Sequence, residues 1–300
     1  MSFSADIKQE IVTKLPSFTC CRQAMLYGML ECSRGFSTRE MSLQTELPAV
    51  ADTYSSLLWK CCRVPTLREE GGFSIVTVAD EWRPRVLKAF GHGQNDLTLR
   101  LNRGVFDCES CQNAYLRGVF VACGAISDPE TDYHLELNIP SPALCRAIET
   151  LLCELDLPPK SLKRKGGQVL YYKDSEQIED FLTRIGAASA ALQMMHIKMM
   201  KDIRNNVNRA NNCEAANLDK TISAAAEQGR AVRVIEQNGG LHQLPDELRA
   251  LAELRRDNPD LSLRELGEML EPPLSRAGVC HRFRRIREVA DGILAEKSKK

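Results

Sequence analysis

The sequence has no apolar run that approaches the roughly 20 residues needed to cross a bilayer. Its start, MSFSADIKQEIVTKL, has no basic region followed by an apolar stretch, so we expect no secretory leader and no membrane partner. We therefore expect a cytoplasmic protein. Lysine plus arginine and aspartate plus glutamate each number 40, so neither sign of charge is in excess. Any affinity for nucleic acid must come from local clusters of basic residues.

The 12 cysteines lack the pattern of a disulfide-rich or zinc-binding domain. Disulfide frameworks belong to small secreted chains, and cytosolic thiols are kept reduced. Cys108 and Cys111 have the C-x-x-C spacing of two zinc ligands, but a structural site needs four ligands and no second pair has comparable spacing. The pairs at 20–21 and 61–62 are adjacent, and neighbouring side chains are expected to point apart. We predict mainly small buried thiols, with no metal and no cofactor; a zinc site is the alternative.

The first two-thirds of the chain is a tandem duplication. Thr66 matches Ser161 and Gly91 matches Gly186 without a gap between them, so each residue lies 95 positions after its counterpart. Upstream the match continues with slightly smaller offsets, as expected if loops changed length while helices and strands were kept. Each copy has the pattern helix, hairpin, helix, hairpin, helix, which predicts an α+β unit used twice.

Local patterns agree with this order. Apolar residues alternate with other residues over 133–139, the period of a half-buried strand. The glycine pairs at 71–72 and 166–167 are expected to supply the positive φ angles of tight hairpins. Asp174 is predicted to begin a helix that Gly186 ends.

Each copy begins with an apolar helix around a glycine, LYGMLECSR from Leu26 and LRGVFVACG from Leu116. These strings resemble the two motifs of the LAGLIDADG homing endonucleases. The resemblance implies two helices that cross between saddle-shaped sheets, which straddle DNA. Gly28 and Gly118 fit such a crossing, because two backbones approach closely only where no Cβ intervenes. The alternative is two ordinary core helices with small residues.

The resemblance also locates the residues of catalysis. In active members an acid at the eighth position of each motif holds the divalent metals, and these positions here are Ser33 and Cys123. A hard cation requires oxygen ligands, usually carboxylates, which neither residue supplies. Shifting the first motif by one residue gives Arg34, which is no better. Glu31, at the sixth position, has Val121 as its counterpart. We predict no catalytic residue and no enzymatic activity.

The last part of the chain predicts three short helices separated by Asn258-Pro259 and by Pro272-Pro273. Pro245 suits the first position of the first helix. Ser262 and Glu265 have the spacing of a capping box at the start of the second. The buried face predicted for that second helix consists of Leu263, Leu266, Met269 and Leu270.

The third of these helices is predicted to begin near Ser275 and to carry a basic outer face. Its predicted buried seam consists of Val279, Phe283, Ile286 and Ala290. The residues predicted to lie outside this seam and contact DNA are Ser275, Arg276, Ala277, His281, Arg282, Arg284 and Arg285. An apolar seam with arginines opposite is typical of a recognition helix in the major groove, whereas a solvated basic helix is the alternative.

Longer strings together resemble the WhiA family, the sporulation and cell-division regulators of Gram-positive bacteria. They include LRGVFVACGAISDPETDYHLEL from Leu116, YYKDSEQIEDFLTRIGA from Tyr171, RNNVNRANNCEAANLDKT from Arg204 and LSLRELGEMLEPPLSRAGVCHR from Leu261. The resemblance implies a degenerate homing-endonuclease domain joined to an all-α helix-turn-helix domain, without nuclease activity. The implied partner is double-stranded DNA, with another transcription factor or RNA polymerase as further candidates.

We predict four segments: one LAGLIDADG-like repeat at 1–95, a second at 96–195, an Asn-rich linker with a connecting helix at 196–235, and the helix-turn-helix domain at 236–300. In the linker, Asn208 and Arg209 are candidates for DNA contact, and a solvated linker is the alternative.

The duplicated hairpins differ in charge. The first copy reads Arg-Glu-Glu at 68–70, whereas the second has Lys163, Arg164 and Lys165. We expect the second copy to supply most phosphate contacts of this domain. Two other functions stay open, namely an active endonuclease or maturase-like RNA factor, and a protein-interaction scaffold whose DNA binding is confined to the helix-turn-helix.

Overall fold

The computed structural model describes residues 2–93, 100–164 and 167–297, and the chain divides into two compact units. Unit 1 comprises Met1–Lys201 and unit 2 comprises Asp202–Lys300. Lys165 and Gly166, both part of the second predicted hairpin, lie outside the described residues. Among the helices described, none combines the length and the apolar character that crossing a membrane requires.

Unit 1 contains the two copies in the predicted order, preceded by helix α1 (Phe3–Thr13). The first copy consists of α2 (Thr19–Glu31), β1 (Gly35–Phe36), β2 (Met41–Thr45), α3 (Pro48–Cys62), β3 (Leu67–Glu70), β4 (Ser74–Thr77) and α4 (Arg83–Ala89). The second consists of α5 (Ser110–Cys123), β5 (Gly124–Ile126), β6 (Leu135–Ile139), α6 (Pro142–Glu154), β7 (Lys160–Arg164), β8 (Gly167–Tyr172) and α7 (Ser175–Arg184).

The two sheets have the same topology. Their strand orders are β1-β2-β4-β3 and β5-β6-β8-β7, with every neighbouring pair antiparallel. Leu135, Leu137 and Ile139 are buried on the helix-covered face, as the alternation predicted. The duplication inferred from the sequence is therefore a duplication of an α+β fold.

One prediction about the hairpins was wrong. Neither Gly71 nor Gly72 has a positive φ, so the β3–β4 turn does not depend on the conformational freedom of glycine. Gly186 does have a positive φ, 81°, directly after α7. Asp174 caps the other end of that helix by accepting hydrogen bonds from the amides of Glu176 and Gln177. The predicted limits of α7 are confirmed.

The Asn-rich stretch is helical. It lies within α8 (Ala188–Gln237), and residues 202–223 of this helix are exposed. The irregular backbone that asparagines tolerate is not used here. Asn208 and Arg209 lie on this exposed surface.

Unit 2 also contains α9 (Asp246–Asp257), α10 (Leu263–Glu268) and α11 (Arg276–Lys297). These three helices pack with the end of α8 around a separate apolar core. Leu266 and Leu270 are buried as predicted, and Leu263 is partly buried. Met269 is 50% exposed, so its predicted place in the core was wrong. α10 ends at Glu268, so Met269 and Leu270 both lie beyond the helix, where the helical period no longer determines which side chain is buried.

Candidate nucleic-acid interface and the former catalytic centre

Helix α11 has the two-faced character that the sequence predicted. It begins after Ser275, whose hydroxyl oxygen accepts a hydrogen bond from the amide of Gly278 at 3.3 Å. The predicted seam is buried: Val279, Phe283, Ile286 and Ala290. Burial of these side chains fixes α11 on the rest of unit 2 and sets which residues point outward.

The outward face is more restricted than predicted. Arg276, Ala277, His281, Arg284 and Arg285 are exposed. Arg282 is instead half-buried, and its guanidinium donates to the carbonyl oxygen of Glu247 at 3.2 Å and pairs with the Glu247 carboxylate at 3.6 Å. Arg282 therefore attaches α11 to α9, because it lies at the border of the apolar seam.

The arginines at 276, 284 and 285 remain available for a partner. Within the described part of the chain, the ion pairs of α11 are those of Arg282 with Glu247 and of Arg287 with Glu227, the latter at 3.6 Å. Exposed guanidinium groups without an acidic partner can donate to phosphates or to guanine edges without first breaking a contact in the protein.

The turns that hold α11 depend on a buried arginine that the sequence reading missed. Arg255, only 2% exposed, donates to the carbonyl oxygens of Asn258, Pro259 and Leu261 at 3.3, 3.1 and 2.7 Å. Its guanidinium carbon also lies 5.6 Å from the centre of the Phe283 ring. Burial lowers the pKa of Arg255 from its usual value. By satisfying three loop carbonyls, Arg255 fixes the connection between α9 and α10.

The predicted capping box of α10 is present. The Ser262 amide donates to the Glu265 carboxylate at 2.8 Å, and the Ser262 hydroxyl oxygen accepts from the Glu265 amide at 3.3 Å. The hydrogen bonds from Ser262 lower the pKa of Glu265. The helix-turn-helix geometry is thus determined by local hydrogen bonds as well as by the apolar core.

The basic hairpin of the second copy is divided between two faces of its sheet. Residues directly opposite on antiparallel strands share a face. Lys163 lies opposite Gln168, which lies opposite the buried Ile139, so Lys163 belongs to the helix-covered side. Lys160 lies opposite Tyr171 on the other, open side, as does Arg164 by alternation.

Arg164 already has a partner on that open side. Its guanidinium lies 3.0 Å from a carboxylate oxygen of Glu136 on β6. Lys160, Lys163 and Arg164 are all exposed on the edge strand β7. Of the three basic residues predicted at this hairpin, Lys163 and Arg164 therefore point to opposite faces, and Lys165 lies outside the described residues.

The crossing of α2 and α5 is confirmed at the two glycines. A Cβ built on Gly28 would overlap the carbonyl oxygen of Tyr115, and one built on Gly118 would overlap the carbonyl oxygen of Met25. In each case the obstacle is backbone, which cannot move aside as a side chain can. The two motif helices therefore touch main chain to main chain, as the resemblance implied.

The eighth motif positions carry no carboxylate. Ser33 is buried and its hydroxyl donates to the carbonyl oxygens of Leu30 and Gly35, at 2.7 and 3.2 Å. Cys123 is the last residue of α5 and is half-buried. The hydroxyl of Ser33 thus stabilises a local turn.

A lysine from α1 lies beside these positions. Lys8 lines the same surface cavity as Ser33, a space of about 440 Å³. Burial lowers the pKa of Lys8, while Cys123 and Glu46 are close enough to oppose that shift electrostatically. The cavity beside Ser33 is therefore lined by one amine and one carboxylate, those of Lys8 and Glu46. The sequence reading missed Lys8 because α1 precedes the duplicated segment.

Glu31, the acid at the sixth position of the first motif, faces tyrosines. It is 5% exposed, and the Tyr115 hydroxyl donates to its carboxylate at 2.7 Å. Burial raises its pKa to about 7, while hydrogen bonds from Tyr115 and Tyr27 oppose the rise. Tyr27 also hydrogen bonds His92 at 2.8 Å. Glu31 belongs to a buried polar cluster of the helix crossing.

This raised pKa predicts a pH-dependent stability. The folded state binds the Glu31 proton more tightly than the unfolded state does. The free energy of unfolding therefore includes a contribution from protonated Glu31 that is fully present below about pH 4.5 and is lost as pH rises towards 7. The contribution of Glu31 to the free energy of unfolding changes by about 3 kcal/mol at most over this pH range, and Glu31→Gln should remove the change. Urea unfolding at pH 5 and pH 8, followed by the fluorescence of Trp59 and Trp82 in unit 1, measures it. Equal pH dependence in the two proteins would refute the assignment.

Family models of known proteins match a segment in each of the two units. The model of the WhiA LAGLIDADG-like domain matches residues 112–204, and that of the WhiA C-terminal HTH domain matches residues 207–290. The probable cell division protein WhiA of Carboxydothermus hydrogenoformans is 37% identical, covering 98% of each chain. That of Clostridium perfringens is 36% identical with the same coverage.

A solved structure shows the same fold. The full-length DUF199/WhiA crystal structure from Thermatoga maritima superposes with a TM-score of 0.61, at 23% identity, over 97% of this chain and 98% of that one. Two domain models and relatives that match over nearly the whole length lead to one conclusion. The chain belongs to the WhiA family, with a LAGLIDADG-like domain followed by a C-terminal helix-turn-helix.

Proposed function

We propose that this chain is a sequence-specific DNA-binding regulator of transcription whose LAGLIDADG-like domain does not cleave DNA. The observation that carries the proposal is the outer face of α11, where Arg284 and Arg285 are exposed beside His281, while Arg276 is exposed on the flank of this face. The buried seam on the opposite side fixes the helix, so His281, Arg284 and Arg285 project from the same side.

Recognition would use the amino-terminal half of α11. Ala277 and Gly278 at its start are small, so this end can lie deep in a major groove without steric conflict. Arginine pairs bidentately with guanine O6 and N7 and also binds phosphates, which makes it suited to both base reading and anchoring. Arg282 attaches α11 to α9 through Glu247 and is not counted among the reading residues.

The residues at the former catalytic centre support the proposed loss of nuclease activity. The positions of the two metal-binding acids hold Ser33 and Cys123, and Lys8 lines the same cavity as Ser33. Metal-assisted phosphodiester cleavage requires anionic oxygen ligands for the divalent ions. The domain retains a fold that straddles DNA in its active relatives, and would add DNA contacts or hold a partner protein.

Genes of cell division or sporulation are the proposed targets, since the relatives at 36–37% identity are named probable cell division proteins. The proposed site of action is the nucleoid. We propose another transcription factor or RNA polymerase as a candidate second partner.

Selection from a randomised duplex library tests the function. The full chain should enrich a shared sequence motif over successive rounds. A variant with Arg284→Ala and Arg285→Ala should enrich none under the same conditions, if α11 reads the bases. Enrichment of unrelated sequences by the unaltered chain would contradict sequence-specific regulation, and an unchanged motif in the variant would exclude α11 as the reading element.

The sheet of the second copy should contribute to DNA binding through its open face. Replacing Lys160 and Arg164 with alanine is expected to flatten the slope of log affinity against log salt by up to about 1.8, since each phosphate contact contributes about 0.9 and Arg164 must first leave Glu136 to make its contact. Lys163→Ala is the matched control, since Lys163 lies on the helix-covered face. An unchanged slope in the double variant would rule out this contact surface. So would a change of slope in Lys163→Ala as large as the change per residue in the double variant.

A further inference from the structure

Four cysteines from distant parts of the sequence meet at one end of the helix crossing. Cys20 and Cys21 lie in the first turn of α2, Cys111 lies in the first turn of α5, and Cys108 lies two residues before α5 begins. Their sulfur atoms all lie within 4.8 Å of one another. Cys21 and Cys111 are buried, Cys20 is half-buried and Cys108 is exposed, so an ion from solution can reach the cluster.

The distances between the sulfurs match the edges of a metal-centred tetrahedron. The Sγ of Cys108 lies 3.7 Å from that of Cys20, 3.6 Å from that of Cys21 and 3.5 Å from that of Cys111. The Sγ atoms of Cys21 and Cys111 are 4.0 Å apart. With zinc–sulfur bonds of about 2.3 Å, a regular tetrahedron has sulfur–sulfur edges of about 3.8 Å. Four of the six sulfur–sulfur distances are therefore close to this edge length, and the other two do not exceed 4.8 Å.

We propose that these four cysteines form a structural zinc site, in which Cys20, Cys21, Cys108 and Cys111 bind one Zn²⁺ as thiolates. Zinc binding would displace the thiol protons and close the coordination sphere without an open position for water. The positive ends of the helix dipoles of α2 and α5 lie beside the site and favour negatively charged sulfur.

The site would join the two copies of the duplicated domain. One ligand pair belongs to the first copy and the other to the second, and both pairs lie at the starts of the helices that cross at Gly28 and Gly118. A metal at this end would hold the helix starts together, while the glycine contacts hold the middle. It is distinct from the former catalytic centre, which lies at the opposite ends of the same helices.

The sequence reading missed this site for a specific reason. It required a second C-x-x-C pair and assumed that adjacent cysteines diverge, whereas the Cys108 sulfur contacts those of both Cys20 and Cys21. The adjacent pair can act together because Cys108 approaches it from the segment that precedes α5. The spacing along the chain could not reveal this, since the two pairs are separated by the whole first copy.

Metal analysis of the purified full chain tests the proposal. Inductively coupled plasma mass spectrometry should find one zinc ion per chain. After removal of zinc with a chelator, added Co²⁺ should give the intense visible absorption of a tetrahedral tetrathiolate site. Cys108→Ser, at an exposed position, should reduce the bound zinc to less than about a fifth of an equivalent and abolish the cobalt spectrum. Cys108→His, which retains a zinc ligand, should keep the metal.

Cys213→Ser and Cys280→Ser are matched controls, since both cysteines are exposed and outside the cluster. Both should keep one zinc, and far-UV circular dichroism should show that Cys108→Ser remains folded. The proposal is overturned if the unaltered chain contains no zinc and gives no cobalt spectrum, or if iron takes the place of zinc. Recovery of a Cys108–Cys111 disulfide from freshly purified protein, with no metal bound, would also overturn it.

Discussion

Replacing Arg284 and Arg285 together with alanine is expected to weaken binding to the selected DNA sequence by about 100-fold, since each base or phosphate contact of this kind contributes roughly 1–3 kcal/mol. Both side chains are exposed and neither contributes to the core, so the fold should be preserved. Fluorescence anisotropy of the full chain with labelled duplex, at one fixed salt concentration, measures the loss.

Arg256→Ala is the control for this experiment. Arg256 is exposed on α9 and pairs with Asp257 at 2.8 Å and with Glu236 at 3.4 Å. The substitution therefore removes one positive charge at a position outside the proposed reading face. Its affinity should change little. Comparable losses in both proteins would show that α11 contributes only general charge, and no loss in the double variant would remove α11 from the interface.

Gly118→Ala is expected to destabilise unit 1 by about 3–5 kcal/mol, because the added methyl group meets main-chain atoms that cannot rotate away. The Cβ would overlap the Met25 carbonyl oxygen and lie 2.9 Å from the Met29 nitrogen. The two motif helices must then separate, which opens the most densely packed part of the core. Urea unfolding followed by the fluorescence of Trp59 and Trp82, both in unit 1, measures the change.

Gly229→Ala provides the opposite control. Gly229 lies within α8 and no atom lies within 4 Å of the position its Cβ would take. Alanine has the higher helix propensity, so this change should stabilise the protein by about 0.5–1 kcal/mol. If Gly118→Ala were as harmless as Gly229→Ala, the close crossing of α2 and α5 would be incorrect.

The sequence was most informative where a pattern repeats. The 95-residue repeat predicted two copies with one element order, and the structure gives both sheets the same strand order. The 3.6-residue period predicted all four buried residues of α11, because that helix packs along one continuous seam. The glycines of the two motifs likewise predicted the backbone contact, since only glycine permits it.

Side chains whose role depends on a distant backbone could not be predicted in this way. Arg255 and Arg282 look like other surface arginines in the sequence, but they donate to carbonyl oxygens of a neighbouring loop and helix. Lys163 and Arg164 are adjacent, and only the strand register shows that they face opposite sides. The grouping of Cys20 and Cys21 with Cys108 requires the helix crossing itself.

On the proposed function, this chain binds DNA without cutting it. The most direct measurement incubates the purified full chain with Mg²⁺ and supercoiled plasmid that carries the selected motif, then resolves both the complex and the deproteinised DNA. We predict a retarded complex whose DNA remains supercoiled after deproteinisation. Nicked or linear DNA that forms with Mg²⁺, does not form with EDTA, and is absent with the Glu31→Gln variant would contradict the account.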